Sequence, residues 1–252
     1  MLLFPAALAL VVWAVWSPLC RAPFLFDDHV VVEKAAVRAD GLFRGLLREP
    51  RPLRALTHRL DVAVFGPDDA AGPHAANIAL HYLCALLWFA LVRRIGRGAG
   101  EGAAAAMLFA VLPVCAESLG VVSHRKEMLA LAPILGALCL VAPCGGKPKV
   151  AGTAGAVALF ALAVGGKETA LVLPALAALC ICESARNGDG KRDGFRPGAW
   201  FPVFALAGAG IALAAASWLQ VHASMDSMPG DAAAGLGARP GHLSPRSEEQ
   251  HV

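Results

Sequence analysis

A chain of 252 residues with 57% hydrophobic and 16% charged side chains, and a mean hydropathy of +0.59, is too apolar for a soluble domain of ordinary composition. The net charge of +3 is small and spread over several segments, so it gives no support to nucleic-acid binding. The seven cysteines are odd in number, and Cys84, Cys115, Cys139, Cys180 and Cys182 fall inside apolar runs, which argues against a disulfide framework or a zinc site.

A hydrocarbon core about 30 Å thick needs roughly 20 apolar residues per helix. Apolar runs at 2–20, 75–95, 102–122, 128–143, 151–165, 168–183 and 200–220 predict an all-α, multi-pass transmembrane helical bundle of about seven spans within residues 1–222. The first run has no Lys or Arg before it and reads as a retained helix; the alternative is a signal cleaved near Ser17 or Cys20. A long, non-periodic polar segment, 21–74, follows and opens on Phe26-Asp27-Asp28. The segment 151–183 is too long for one span, and Gly165-Gly166-Lys167-Glu168 breaks it into a tight hairpin of two short halves that need tilt or a thinned bilayer. From 223 to 252 the chain is polar and rich in Gly, Pro and Ser, and is expected to be disordered.

Loop charges set the topology. If each run crosses once, Arg93, Arg94, Arg97, Lys147, Lys149, Arg186, Lys191, Arg192 and Arg196 share one side, which the positive-inside tendency makes cytoplasmic. The opposite short loops hold Arg125, Lys126 and Lys167. The long first loop adds eight Lys/Arg there, balanced by eight Asp/Glu and near the length at which the tendency weakens, so the inverted orientation stays open.

In this topology the ionisable residues gather on the non-cytoplasmic face: Asp27 and Asp28, Glu117, His124-Arg125-Lys126-Glu127, and Lys167-Glu168. Glu117 sits in an apolar run, where an ionisable side chain costs about 2–3 kcal/mol or more unless paired or hydrated. A salt bridge to Arg125 or Lys126 and a functional role both account for it. His74, Asn77 and His81 are spaced three and four apart, on one face of a helix. An interhelical polar contact explains them better than a metal, for which no third ligand or HExxH spacing is present. No P-loop, GxGxxG, GxSxG or CxxC motif occurs, and no internal repeat suggests a transporter.

Over residues 24–184 the chain resembles the GT-C membrane glycosyltransferases, specifically the TMTC-type protein O-mannosyltransferases and their bacterial relatives that carry tetratricopeptide repeats. The resemblance rests on Phe26-Asp27-Asp28, Arg51-Pro52-Leu53 with Leu56-Thr57 and Arg59-Leu60-Asp61, Phe65-Gly66, the His74, Asn77 and His81 set, Leu108-Phe109-Ala110 to Pro113 with Glu117-Ser118, Arg125-Lys126-Glu127, and Lys167-Glu168-Thr169-Ala170 with Leu173-Pro174, in that order. Leu112 stands where the family pattern has His, and Glu49-Pro50 replaces an aromatic-rich approach to Arg51.

The resemblance implies the N-terminal half of a GT-C fold, in the endoplasmic reticulum membrane if eukaryotic or the inner membrane if bacterial. Further helices and a repeat domain would complete it. It implies a sugar, with mannose expected, moved from a polyprenyl (dolichyl) phosphate donor to a Ser or Thr of an acceptor protein on the lumenal or periplasmic face, with no cofactor; it gives no strong reason to expect a metal, although Asp27-Asp28 could hold a cation. Asp27 first and Asp28 second would be the general base. Arg125, Lys126 and Lys167 would neutralise the lipid-phosphate leaving group, and Glu117 and Glu168 would orient those cations or contact the sugar. The reading from a different class is a non-catalytic polytopic protein: a transporter-like module, a scaffold or an inactive truncated paralogue. Glycosyl transfer requires Asp27, Glu117 and Arg125-Lys126 to line one outward cavity; the non-catalytic reading leaves the aspartates in solvent and Glu117 simply paired.

Overall fold

The computed structural model describes residues 3–37, 42–43, 45–46, 49, 51–142, 150–187 and 200–226, with side chains omitted for 184–187 and 217–226. The chain divides into two compact units, Met1–Ile211 and Ala212–Val252. The regular structure of the described residues is all helical, with no strand: α1 (Leu3–Trp16) with a 3₁₀ turn to Arg21, α2 (Asp28–Val37), α3 (Pro52–Phe65), α4 (Ala71–Arg94), α5 (Ala99–Val111), α6 (Ala116–Gly120), α7 (Lys126–Val141), α8 (Val150–Gly166), α9 (Leu173–Asn187) and α10 (Phe201–Asp226). Further 3₁₀ turns cover Pro113–Cys115, Val122–Arg125 and Glu168–Val172.

Local chemistry sets the boundaries. Pro52 opens α3, where its missing N–H costs nothing, and Gly66 at φ +85° closes it. Asp69 accepts the Ala71 N–H at 2.8 Å to start α4, and Glu101 accepts the Gly98 N–H at 3.1 Å to start α5. Pro113 breaks the run expected to be one helix from 102 to 122, so α5 and the Pro113–Gly120 segment meet at a bend of 49°.

The long helices alternate in direction. Phe4 stacks on Phe89 while Trp16 lies against His81, so α1 is antiparallel to α4. Gly152 meets Leu140 and Gly166 meets Leu129 and Ala130, so α8 runs back along α7 at close range. Arg94 donates to the Cys139 carbonyl at 2.7 Å and Arg97 pairs with Glu183 at 2.8 Å, which puts the far ends of α4, α7 and α9 together. The chain therefore turns back between α8 and α9, as the glycine break predicts. The 93–97 turn lies at one end of the unit, with Asp27-Asp28, 122–126 and 167–168 at the other.

Three expectations change. Each of the seven apolar runs is mostly helical over its described residues, but among the described residues only Leu3–Arg21 and Ala71–Arg94 are long and apolar enough to cross a membrane, with a third crossing if the bent pair Ala99–Val111 and Pro113–Gly120 counts as one. Of the others, α7, α8 and α9 fall short in length, and α10, though 26 residues long, is an apolar helix over Phe201–Ala216, the part whose side chains are described. α7, with 16 residues, rises about 24 Å, and its apolar character faces protein: Met128, Leu129, Ala132, Leu135, Leu138 and Val141 are all buried. The first loop is not irregular, because α2 and α3 occupy much of it and α4 starts at Ala71. The polar tail begins later than 223, since α10 continues to Asp226; residues 227–252 lie outside the described residues.

Candidate functional site

At the end opposite the 93–97 turn, Leu25–Asp28 forms a tight turn, with the Asp28 N–H donating to the Leu25 carbonyl at 3.0 Å. Phe26 within it has φ +49°, the only positive φ at a non-glycine residue among the described residues, and its ring is 84% exposed. A bulky side chain there carries strain of order 1–3 kcal/mol. Asp27 is exposed and its carboxylate has no hydrogen bond or ion pair with a described residue. Asp28 is the opposite case. It is fully buried, with Oδ2 accepting from the backbone N–H of Leu25 (3.0 Å) and Val122 (3.1 Å) and Oδ1 from that of Ser123 (2.7 Å). The two neighbours in sequence are thus not two equivalent bases.

Arg125, expected to face a phosphate, is 1% exposed. Its Nε donates to Asn77 Oδ1 at 2.6 Å, one terminal nitrogen to the Asp61 carboxylate and the other to the Pro73 carbonyl at 2.8 Å. Burial pushes its pKa below the ordinary arginine value, and the Asp61 charge opposes that shift. His58 lies one helical turn before Asp61, with Nδ1 3.8 Å from the same carboxylate, and neither ring nitrogen has a hydrogen bond to a described residue. Burial holds its pKa below the usual histidine value; Asp61 opposes the shift, and Arg125 and Arg54 reinforce it.

A more exposed layer surrounds this network. Arg51 makes a forked contact with Glu168 (2.9, 3.1 and 3.3 Å), and Lys167 pairs with Glu127. Glu168 lies below its ordinary pKa, first through its own backbone N–H and then through Arg51. Lys126 is half-buried with no ion pair to a described residue. Arg54 is also half-buried; burial and the neighbouring Arg51 lower its pKa, while the nearby Asp27 charge raises it. Three segments far apart in sequence, 25–28, 122–127 and 167–168, are therefore joined: Asp28 holds Val122 and Ser123, Glu127 holds Lys167, and Asp61 of α3 and Arg51 just before it hold Arg125 and Glu168.

Glu117 departs from expectation. Its segment has left the α5 axis at the bend, so the side chain is 74% exposed and its partner is His124 at 3.2 Å, rather than Arg125 or Lys126. His74, Asn77 and His81 are all fully buried on one face of α4. His74 Nδ1 and Asn77 Nδ2 donate to the Leu119 carbonyl, each at 3.3 Å, and His81 Nε2 to the Ala110 carbonyl at 3.1 Å, which also takes the Trp16 indole N–H at 2.7 Å. These are the carbonyls freed where α5 and α6 end. The stripe replaces bonds that Pro113 and the Gly120 terminus remove. Among the described residues no three His, Cys, Asp or Glu side chains are grouped to hold a metal ion.

Arg54, His58 and Asp61 were not among the expected site residues. Their signal is in the sequence: Arg51, Arg54, His58 and Asp61 are spaced three, four and three apart, one face of a helix, in a segment whose polarity otherwise reads as a loop. Comparison with family models, with curated proteins and with solved structures gives no match.

Proposed function

We propose that this chain is a membrane glycosyltransferase of GT-C type, or its N-terminal catalytic half, moving a sugar, mannose first among candidates, from a polyprenyl phosphate to a Ser or Thr of an acceptor protein. The observation that carries the reading is the junction of the 25–28 turn, the 122–127 segment and Lys167-Glu168 at one end of the unit. A free carboxylate, Asp27, stands there on a strained turn beside the half-buried cation Arg54. A group transfer of this kind needs a base at the acceptor hydroxyl and positive charge where the phosphate leaves. In this reading Asp27 takes the hydroxyl proton as the acceptor oxygen attacks the anomeric carbon, and the bond to the lipid phosphate breaks with its electrons on phosphate oxygen. Lys126, with no ion pair to a described residue, and Arg54, near the Asp27 charge, are at hand to meet that charge, with Lys167 and Arg51 available on parting from their carboxylates. Arg125 acts from behind, fixing the segment that presents Lys126. The helices α7 to α10 join the two to three full-length spans to complete the bundle of about seven crossings, with the site on the lumenal or periplasmic face.

The second reading, a non-catalytic polytopic protein, draws on one observation: Arg125 and Lys167 are paired within the protein, and Glu117 is exposed beside His124. Transfer of radiolabelled mannose from dolichyl phosphate mannose to membrane-protein acceptors decides between them. Glycosyl transfer predicts incorporation by the wild-type chain and its loss in Asp27→Asn at equal expression. Equal incorporation by both overturns the assignment of the base, and none by either overturns the enzyme.

A further inference from the structure

We propose that Asp28 is a positioning residue, a staple that closes the turn presenting Asp27 and docks it on the segment presenting Lys126; the inference rests on the glycosyl-transfer reading for its consequence, though not for its geometry. The Asp28 backbone and side chain both fold back on Leu25: its N–H donates to the Leu25 carbonyl and its Oδ2 accepts the Leu25 N–H, each at 3.0 Å. That double closure encloses Phe26, whose left-handed φ otherwise favours glycine. The same carboxylate takes the first two N–H groups of the Val122–Arg125 turn, which have no carbonyl partner of their own because Val121 is extended. One side chain thus satisfies three orphan donors in two segments some 94 residues apart. Val122 is fully buried and Ser123 nearly so, so water cannot replace the carboxylate there.

Fully buried and with three of its roughly four acceptor sites taken by backbone N–H groups, Asp28 is out of reach of a substrate hydroxyl. Its effect on transfer runs through the placement of Asp27 on one side and Lys126 on the other. An adjacent pair of identical acids is thereby divided, one facing outward and one locking the hinge beneath it.

The test uses the full chain in nanodiscs and reads amide hydrogen exchange alongside transfer. Asp28→Asn keeps shape but turns an NH₂ toward backbone donors. Exchange at Leu25, Val122 and Ser123 should accelerate about ten- to a hundredfold, whereas Asp27→Asn should leave these amides as protected as in the wild type. Transfer should fall in both. Adding Phe26→Gly, which relieves the left-handed strain, should restore part of it in Asp28→Asn and none in Asp27→Asn. If Asp28→Asn does not accumulate folded, Val122→Pro deletes one staple donor at the first position of a 3₁₀ turn preceded by an extended residue, where proline fits, and should accelerate Ser123 exchange with the fold retained. Unchanged exchange in Asp28→Asn, or in Val122→Pro, overturns the proposal. So does loss of transfer in Asp28→Asn as complete as in Asp27→Asn with all three amides still protected. Absence of transfer by the wild type sinks the enzymatic reading alone, because the exchange comparison still decides the staple.

Discussion

Replacing Arg125 by methionine asks what fastens the segment behind the broken helix to α3 and α4. Methionine fills much of the volume but donates nothing, so an Asp61 carboxylate only 8% exposed loses its counter-charge, and Asn77 Oδ1 and the Pro73 carbonyl each lose a donor. Removing one partner of a buried ion pair costs about 3–5 kcal/mol, because the remaining charge cannot regain water. At roughly 2–4 °C per kcal/mol for a chain of this size, the unfolding midpoint should drop by about 6–20 °C. Adding Asp61→Leu removes the stranded charge, and apolar replacement of both partners is often close to neutral. The double variant should therefore recover most of the loss, leaving about 1–2 kcal/mol for the two neutral acceptors. Thermal unfolding in one detergent, followed by tryptophan fluorescence and by the monodisperse fraction, completes the cycle. His58 supplies an internal check: Arg125 now disfavours its protonation, and its Nδ1 is 3.8 Å from Asp61, so in Arg125→Met it can become the replacement cation. The defect of that variant should then shrink as pH falls below about 6.5. A single variant within about 1 kcal/mol of wild type, or a double no better than the single, would refute the reasoning.

In the wild type the sign is opposite. His58 is held neutral by burial, so the unfolded chain takes up the proton first, and stability should decline as pH falls through about 6.5, by up to 1.4 kcal/mol per unit; His58→Leu should flatten that limb between pH 8 and 5. Gly166→Ala places a methyl 3.1 Å from the Leu129 and Ala130 backbone and should cost about 1–3 kcal/mol by separating α7 from α8, while Gly100→Ala, which meets nothing within 4 Å, should be neutral or stabilising by up to about 1 kcal/mol. Trp16→Phe and His81→Leu each leave the Ala110 carbonyl one donor; together they leave it none, so the double variant should be worse than the sum by about 1 kcal/mol or more in the same unfolding assay.

Apolar runs located the helices well, since composition alone marks them, and the Gly165-Gly166 break placed the α8–α9 turn. What hydropathy could not show was where the apolar side chains go. α7 reads like a span yet is enclosed by protein, because an all-round apolar helix looks the same whether lipid or neighbouring helices cover it. The polar composition of residues 21–74 hides the helical periodicity of α2 and α3, and with it the shared face of Arg54, His58 and Asp61. Glu117 misled for a related reason: an unbroken apolar run suggested a buried carboxylate, and the Pro113 bend carries it outward. The distinct environments of Asp27 and Asp28 turn on the two N–H groups of Val122 and Ser123, and nothing in residues 26–28 announces them.

The α4 stripe also bears on the order in which the protein enters a bilayer. Carbonyls left open near the Pro113 break cost several kcal/mol each in hydrocarbon, and His74, Asn77 and His81 carry a penalty of their own when α4 is alone. Neither element is comfortable in lipid without the other. For a chain that crosses a bilayer, the α4 polar face and the open carbonyls satisfy each other only when α4 and the bent pair are present together, which makes the two of them, rather than one helix at a time, the natural unit of insertion.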